Sequence, residues 1–216
     1  MSGLPVEVDE LTPEWMSDAM DTDVTSVTIL DRHSGTTGRA RVALSGPGRV
    51  PPTVFVKLAP FDVAQRDFVN LQGMGVVEAR LYRDLSYELP VRVPKAYYAE
   101  FDGSGADPTD RYVMVLEDLG ASGCRFPTRD DADIESRIVD VVENLARLHA
   151  AYWESPRFRA RGDLDWIAPR GTGSGDGGVG MVRMAIDRLA DRLPDGFVDV
   201  AETYAAYAPQ IMTWFR

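Results

Sequence analysis

Thr53-Val54-Phe55-Val56-Lys57-Leu58 reads as a β-strand, because four of its six residues are apolar and the run is rich in β-branched and aromatic types. Lys57 interrupts the apolar run. Further on, Met74 to Leu85 places Met74, Leu81, Tyr82 and Leu85 at helical spacing. Glu78 lies three or four residues from Met74, Leu81 and Tyr82 and shares their face, while Arg80, Arg83 and Asp84 mostly take other faces. A lone buried charge neutralises through a pKa shift or costs several kcal/mol. A lysine and a glutamate that both point inward are therefore best explained by each other.

A strand lysine held by a glutamate from the following helix is the arrangement that kinase-type phosphoryl transfer uses to keep an ammonium against the α and β phosphates of ATP. Lys57 and Glu78 are read as that pair. The competing reading is structural: Lys57 snorkels from an edge strand and Glu78 reaches solvent past a short helix.

Around this pair the chain is long enough, at 216 residues, for one large domain or two small ones. A hydrophobic fraction of 44% and a charged fraction of 26% are ordinary for a globular protein. The net charge of -11 argues against nucleic acid as the main partner, since phosphate backbones are bound by clustered Lys and Arg. Cys124 is the single cysteine, which excludes an internal disulfide and any multi-cysteine metal site. His33 and His149 show no ligand spacing, and no metal site is expected within the chain. The acidic N-terminus lacks a signal-peptide pattern, and no apolar run approaches the roughly 20 residues of a membrane span. A cytoplasmic protein without membrane contact is the expectation.

In chain order, Leu11 to Met20 predicts a short helix with Thr12 as N-cap, Pro13 at its first position and Glu14 in its first turn. Val24 to Leu30 and Arg39 to Leu44 alternate on either side of the turn-rich Ser34-Gly35-Thr36-Thr37-Gly38, a hairpin signal. The Lys57 strand follows, then the Glu78 helix, then two more strands at Val91 to Glu100 and Arg111 to Leu116. Five antiparallel strands with one helix inserted after the third make a small α+β lobe. Beyond the acidic connector Glu117-Asp118-Leu119-Gly120 the character changes to helix and loop. Asp133 to Trp153 is amphipathic, with Ile134, Ile138, Val141, Val142, Leu145, Leu148 and Tyr152 on one face. Met181 to Leu193 and Val198 to Phe215, the latter interrupted by Pro209, complete the helical half.

Four segments in this order, Val54 to Lys57, Glu78 to Tyr82, Val113 to Leu119 and Leu145 to Ala150, together resemble the N-terminal lobe and first C-lobe helices of the aminoglycoside and choline kinase-like phosphotransferases. The resemblance implies a protein kinase-like fold, with a nucleotide-binding lobe over residues 1-119 and a partial helical lobe over 120-216. It implies ATP and Mg²⁺ as cofactors and a small-molecule hydroxyl as acceptor. The backbone of Leu116, Glu117 and Asp118 would meet the adenine edge. Ser34, Gly35, Thr37 and Gly38 would form the loop over the phosphates, where small residues let the backbone come close. An ordinary strand end and an ordinary hairpin turn explain those two segments as well. His149 is similar to a family position that supports the catalytic loop.

Two further motifs fail their context tests. Gly173 to Gly178 fits G-x-G-x-x-G, but no strand feeds it and Pro169 precedes it closely. Arg161-Gly162-Asp163 is superficially similar to the family's His-Gly-Asp loop, but Arg161 replaces the histidine and Ala168 stands where the asparagine belongs. No His-x-Asp-x-x-x-x-Asn segment occurs in the sequence, so no catalytic residue is assigned in this chain. The Mg²⁺ ligands are expected beyond residue 216. The expected protein is a truncated or split phosphotransferase. The alternative is a non-catalytic, pseudokinase-like nucleotide-binding or protein-interaction module whose uncovered helix faces dock a partner chain or a second copy.

Overall fold

Antiparallel pairing of β1 (Ser26–Ser34) with β2 (Gly38–Ser45) starts a five-stranded sheet. The computed structural model describes residues 3–71, 73–103, 107, 109–128, 130–167, 176–189, 192–194 and 196–214. The sheet is completed by β3 (Thr53–Leu58), β4 (Ala96–Asp102) and β5 (Arg111–Glu117), in the order β1-β2-β3-β5-β4, antiparallel throughout. Six α-helices are present among the described residues: α1 (Pro13–Met20), α2 (Val63–Leu71), α3 (Met74–Asp84), α4 (Ile134–Tyr152), α5 (Asp176–Leu189) and α6 (Phe197–Trp214). The class is α+β. Residues 1–155 and 156–216 form two separate units, and the connector after β5 lies inside the first.

Two differences from the sequence reading concern the segment that carries the glutamate. Two helices, not one, stand between β3 and β4. The missed one, α2, opens at Asp62, whose Oδ1 accepts from the Gln65 amide at 2.9 Å. In α3 the buried positions are Gly75, Val76 and Ala79, whereas Met74 is half exposed. Gly75 turns inward because its missing side chain makes room for Tyr112: a Cβ there would lie 2.0 Å from the ring. Val91 to Lys95 lies outside any strand, between Pro90 and Ala96, and β4 begins only at Ala96. The helix expected over Met181 to Leu193 starts earlier, at Asp176, and α6 continues through Pro209. Of the glycine-rich stretch, residues 171–175 lie outside the described residues.

Strand alternation gives the sheet two chemically different faces. On one, Ala40, Val42 and Leu44 of β2, Val54, Val56 and Leu58 of β3, and Val113 and Val115 of β5 form a core with Trp15 and Met16 of α1. Thr12 caps α1, accepting the Trp15 amide at 3.2 Å, and the Trp15 ring meets Tyr98 edge-on at 5.6 Å. On the other face α3 packs Val76 and Ala79 against Ala99, Tyr112, Met114 and Leu116 of β4 and β5. The helix thus covers only the β4–β5 side. The β2–β3 side of that face carries Arg39, Arg41, Phe55 and Lys57, all partly exposed. The fold therefore leaves a basic strip with one aromatic ring beside a helix, in a chain of net charge -11.

Candidate functional site

Lys57 lies opposite Met114 in the β3–β5 ladder, so its side chain emerges on the face that α3 covers. Its Nζ donates to Glu78 Oε1 at 2.5 Å, with side-chain exposures of 19% for the lysine and 33% for the glutamate. The alternative in which the two charges leave for solvent separately does not hold. Glu78 reaches Lys57 because Gly75, Val76 and Ala79 seat the helix on the sheet, which leaves the next position along its margin facing the cleft.

Two cavities meet at this pair, and Phe55 and Lys57 line both. The larger, about 580 Å³, runs along the connector from Leu116 to Gly120 and is closed by Tyr82, Pro94 and Phe126. The smaller, about 300 Å³, lies beside the β1–β2 turn and is lined by Thr36, Thr37, Arg39, Met74 and Glu78. The larger volume is in the range of small-molecule and cofactor sites, about 300–1,000 Å³.

The β1–β2 turn residues separate into different roles. Thr37 lines the smaller cavity. Ser34 Oγ accepts from the Phe61 amide at 3.1 Å, and the Gly35 amide donates to the Thr37 carbonyl at 3.0 Å, closing the turn. Gly38 is required by packing, since a Cβ would lie 2.4 Å from the Ala59 carbonyl and 2.5 Å from the Phe61 ring.

In the connector, Leu116 is buried in the core beneath α3. The Glu117 amide donates to the Lys95 carbonyl at 2.8 Å, and the Glu117 carboxylate accepts from the Lys95 amide at 3.1 Å and from Arg92 at 2.8 Å. The Lys95 amide above all, and then the Ser122 hydroxyl and Arg92, hold that carboxyl below its ordinary value. Asp118 is buried. Its Oδ2 accepts from Arg41 Nε and Nη2, both at 3.2 Å, and its Oδ1 accepts from the Gly120 and Ala121 amides at 3.1 and 3.3 Å.

The Arg41–Asp118 clasp was not visible in the sequence, because 77 residues separate its partners. The signal that could have found it is the even spacing of Arg39, Arg41 and Ala43 against apolar Ala40, Val42 and Leu44, which sets both arginines on the cleft face. Burial pushes the Asp118 carboxyl up. The hydrogen bonds that the carboxylate accepts and the charge of Arg41 together outweigh it and hold the pKa below its ordinary 3.8. Folding therefore favours the carboxylate. That contribution is complete above the ordinary value and is lost as pH falls through the lower folded value. Asp118→Asn is expected to reduce stability at neutral pH by about 1 kcal/mol, discounted for the exposure of Arg41. The difference from wild type should shrink toward zero in urea titrations run below about pH 4.

Other residues singled out from the sequence have structural places. Arg161 has a left-handed backbone with φ 71°, and Asp163 pairs with Arg157 at 2.7 Å, so this segment is a turn. His149 is exposed on α4. No residue of α4 is buried: Ile138, Val141, Val142 and Leu145 of its apolar face are exposed. Among the described residues no group of three or more His, Cys, Asp and Glu side chains is placed to hold a metal ion, and no helix is long and apolar enough to cross a membrane. Of the cleft carboxylates, Glu78 is engaged by Lys57, Asp118 by Arg41 and Glu117 by Arg92. No family model, curated protein or solved structure matches the chain.

Proposed function

We propose that this chain binds ATP in the cleft between β2–β3, α3 and the connector, and that it is the nucleotide-holding part of a protein kinase-like phosphotransferase acting on a small-molecule hydroxyl. The observation that carries the reading is the Lys57–Glu78 pair at 2.5 Å, set where the two cavities join. Strand order β1-β2-β3-β5-β4, with the glutamate helix between β3 and β4, supports it.

ATP fits the residues present. An adenine ring enters the larger cavity against Phe55 and Leu116, beside the connector backbone. The phosphates run past Lys57 toward Thr37 and the β1–β2 turn. Glu78 keeps the Lys57 ammonium pointing into the cleft, so its orientation is set before the ligand arrives. When bound, ATP supplies the transferable γ-phosphoryl group. The chain's own side chains position and neutralise the phosphates, and within residues 1–216 no His-x-Asp-x-x-x-x-Asn segment is present to activate an acceptor hydroxyl. ATP should raise the thermal midpoint of the protein, and adenosine should do so less. No response to ATP at millimolar concentration would remove the proposal.

A second reading, a non-catalytic protein-interaction module, is favoured by the exposed apolar face of α4. Solution mass separates the two: a defined complex or dimer without any nucleotide response favours the module.

A further inference from the structure

Arg39 stands directly opposite Lys57 in the β2–β3 ladder, so the two side chains leave the sheet on the same face. Both line the smaller cavity, and the one carboxylate in its wall, Glu78, is paired with Lys57. Among the described residues Arg39 Nε is buried with no hydrogen-bond partner, and no carboxylate pairs with its guanidinium. Its Nη2 lies against the β1–β2 turn, where a Cβ on Gly35 would come within 3.3 Å of it. Like charges placed opposite each other on one sheet face repel, and a buried donor without an acceptor is unfavourable. Counting Arg39, Lys57 and Glu78, the cavity wall carries a net charge of +1, with the threonine side chains of Thr36 and Thr37 at its edge.

We infer that Arg39 is the second cation of an oligophosphate site, gripping the distal phosphates while Lys57 holds those nearer the base. A planar guanidinium suits this position, since its fork of N–H donors matches phosphate oxygens in pairs, whereas Lys57 acts as a point charge steered by Glu78. This assignment rests on the nucleotide reading for the identity of the ligand, but the anion site itself is defined by the cavity and its charges. The buried Nε has no acceptor on the protein, and an anion in the adjoining cavity would supply one.

The test is calorimetric titration of wild type, Arg39→Met, Arg39→Lys and the exposed-turn control Arg49→Met with inorganic tripolyphosphate, ATP and adenosine, in metal-free buffer. Circular dichroism melts check that each variant is folded. Arg39→Met should weaken tripolyphosphate and ATP about tenfold, the loss of one charge-assisted contact, and leave adenosine unchanged. Arg39→Lys should recover part of the loss and Arg49→Met should match wild type. Equal tripolyphosphate affinity in wild type and Arg39→Met overturns the assignment, as does failure of wild type to bind tripolyphosphate. If tripolyphosphate binding depends on Arg39 while neither ATP nor adenosine shows a base contribution, the anion site stands and the nucleotide reading falls. If ATP binds wild type and Arg39→Met equally, the reverse holds.

Discussion

Lys57→Met is expected to abolish thermal stabilisation by ATP while leaving the unliganded protein nearly as stable as wild type. At a concentration 100 times the dissociation constant, a ligand that binds only the folded state contributes about 2.7 kcal/mol. For a chain of this length that corresponds to a rise in midpoint of about 5–10 °C. Methionine keeps most of the apolar stem of Lys57 and its packing beside Phe55, but it removes the ammonium. Glu78, one-third exposed, hydrates in the absence of its partner, so the cost to the unliganded fold stays below about 1 kcal/mol. Scanning fluorimetry with and without ATP reads both quantities, with Arg49→Met as the control. A Lys57→Met protein that keeps the full nucleotide shift would remove Lys57 from the site.

Gly75→Val should be the most destabilising single change near the site. Tyr112 is 1% exposed, and its ring fills the space that a side chain at position 75 would occupy, with the nearest ring atoms 2.0 Å from an added Cβ. Neither partner can yield cheaply, because Tyr112 sits mid-core between β5 and α3. Burial above all, and then the Glu78 charge, raises its phenol pKa well above the ordinary value, so it stays neutral. Overpacking there should cost about 3 kcal/mol, a fall in midpoint of about 6–12 °C. Because the same contact seats α3, Gly75→Val should also displace Glu78 from Lys57 and weaken the ATP response. Adding Tyr112→Ala should return part of the stability lost to Gly75→Val, although Tyr112→Ala alone is destabilising. Strict additivity of the two changes in urea denaturation would show that the contact is not the cause.

Much of this arrangement was legible from residue pattern. The strand with a lysine in it and the helix with a glutamate on its inner side are local signals, and a charge at a position that the periodicity marks as apolar calls for a partner. The hairpin was readable from alternation on both sides of a Ser/Thr/Gly turn, and α1 from Thr12 and Pro13. The inner stripe of α3 was not, because side-chain hydrophobicity marks Met74 as the anchor, while the actual anchor is an absent side chain at Gly75 filled by Tyr112 from a distant strand. Helix α2 escaped because its polar residues, Gln65, Arg66, Asp67 and Asn70, dilute the apolar periodicity.

The arginines of β2 escaped for a different reason. Arg39 and Arg41 alternate with apolar residues, as any half-solvated strand does, and only the register against β3 shows that they flank Lys57 and Phe55 rather than facing open water. Residues in the β1–β2 turn illustrate the converse. A Ser/Gly/Thr/Gly string looks alike whether it cradles a ligand or closes a hairpin, and here Ser34 and Gly38 are held by Phe61 and Ala59 while Thr37 lines the cavity.

Backbone amide chemical shifts of ¹⁵N-labelled protein, followed through an ATP titration, test the nucleotide grip most directly. Saturable changes are expected at Lys57, Glu78, the β1–β2 turn and residues 116–119, with Trp15, Met16 and the opposite face of the sheet unmoved. Changes confined to any other surface, or none at millimolar ATP, would contradict it.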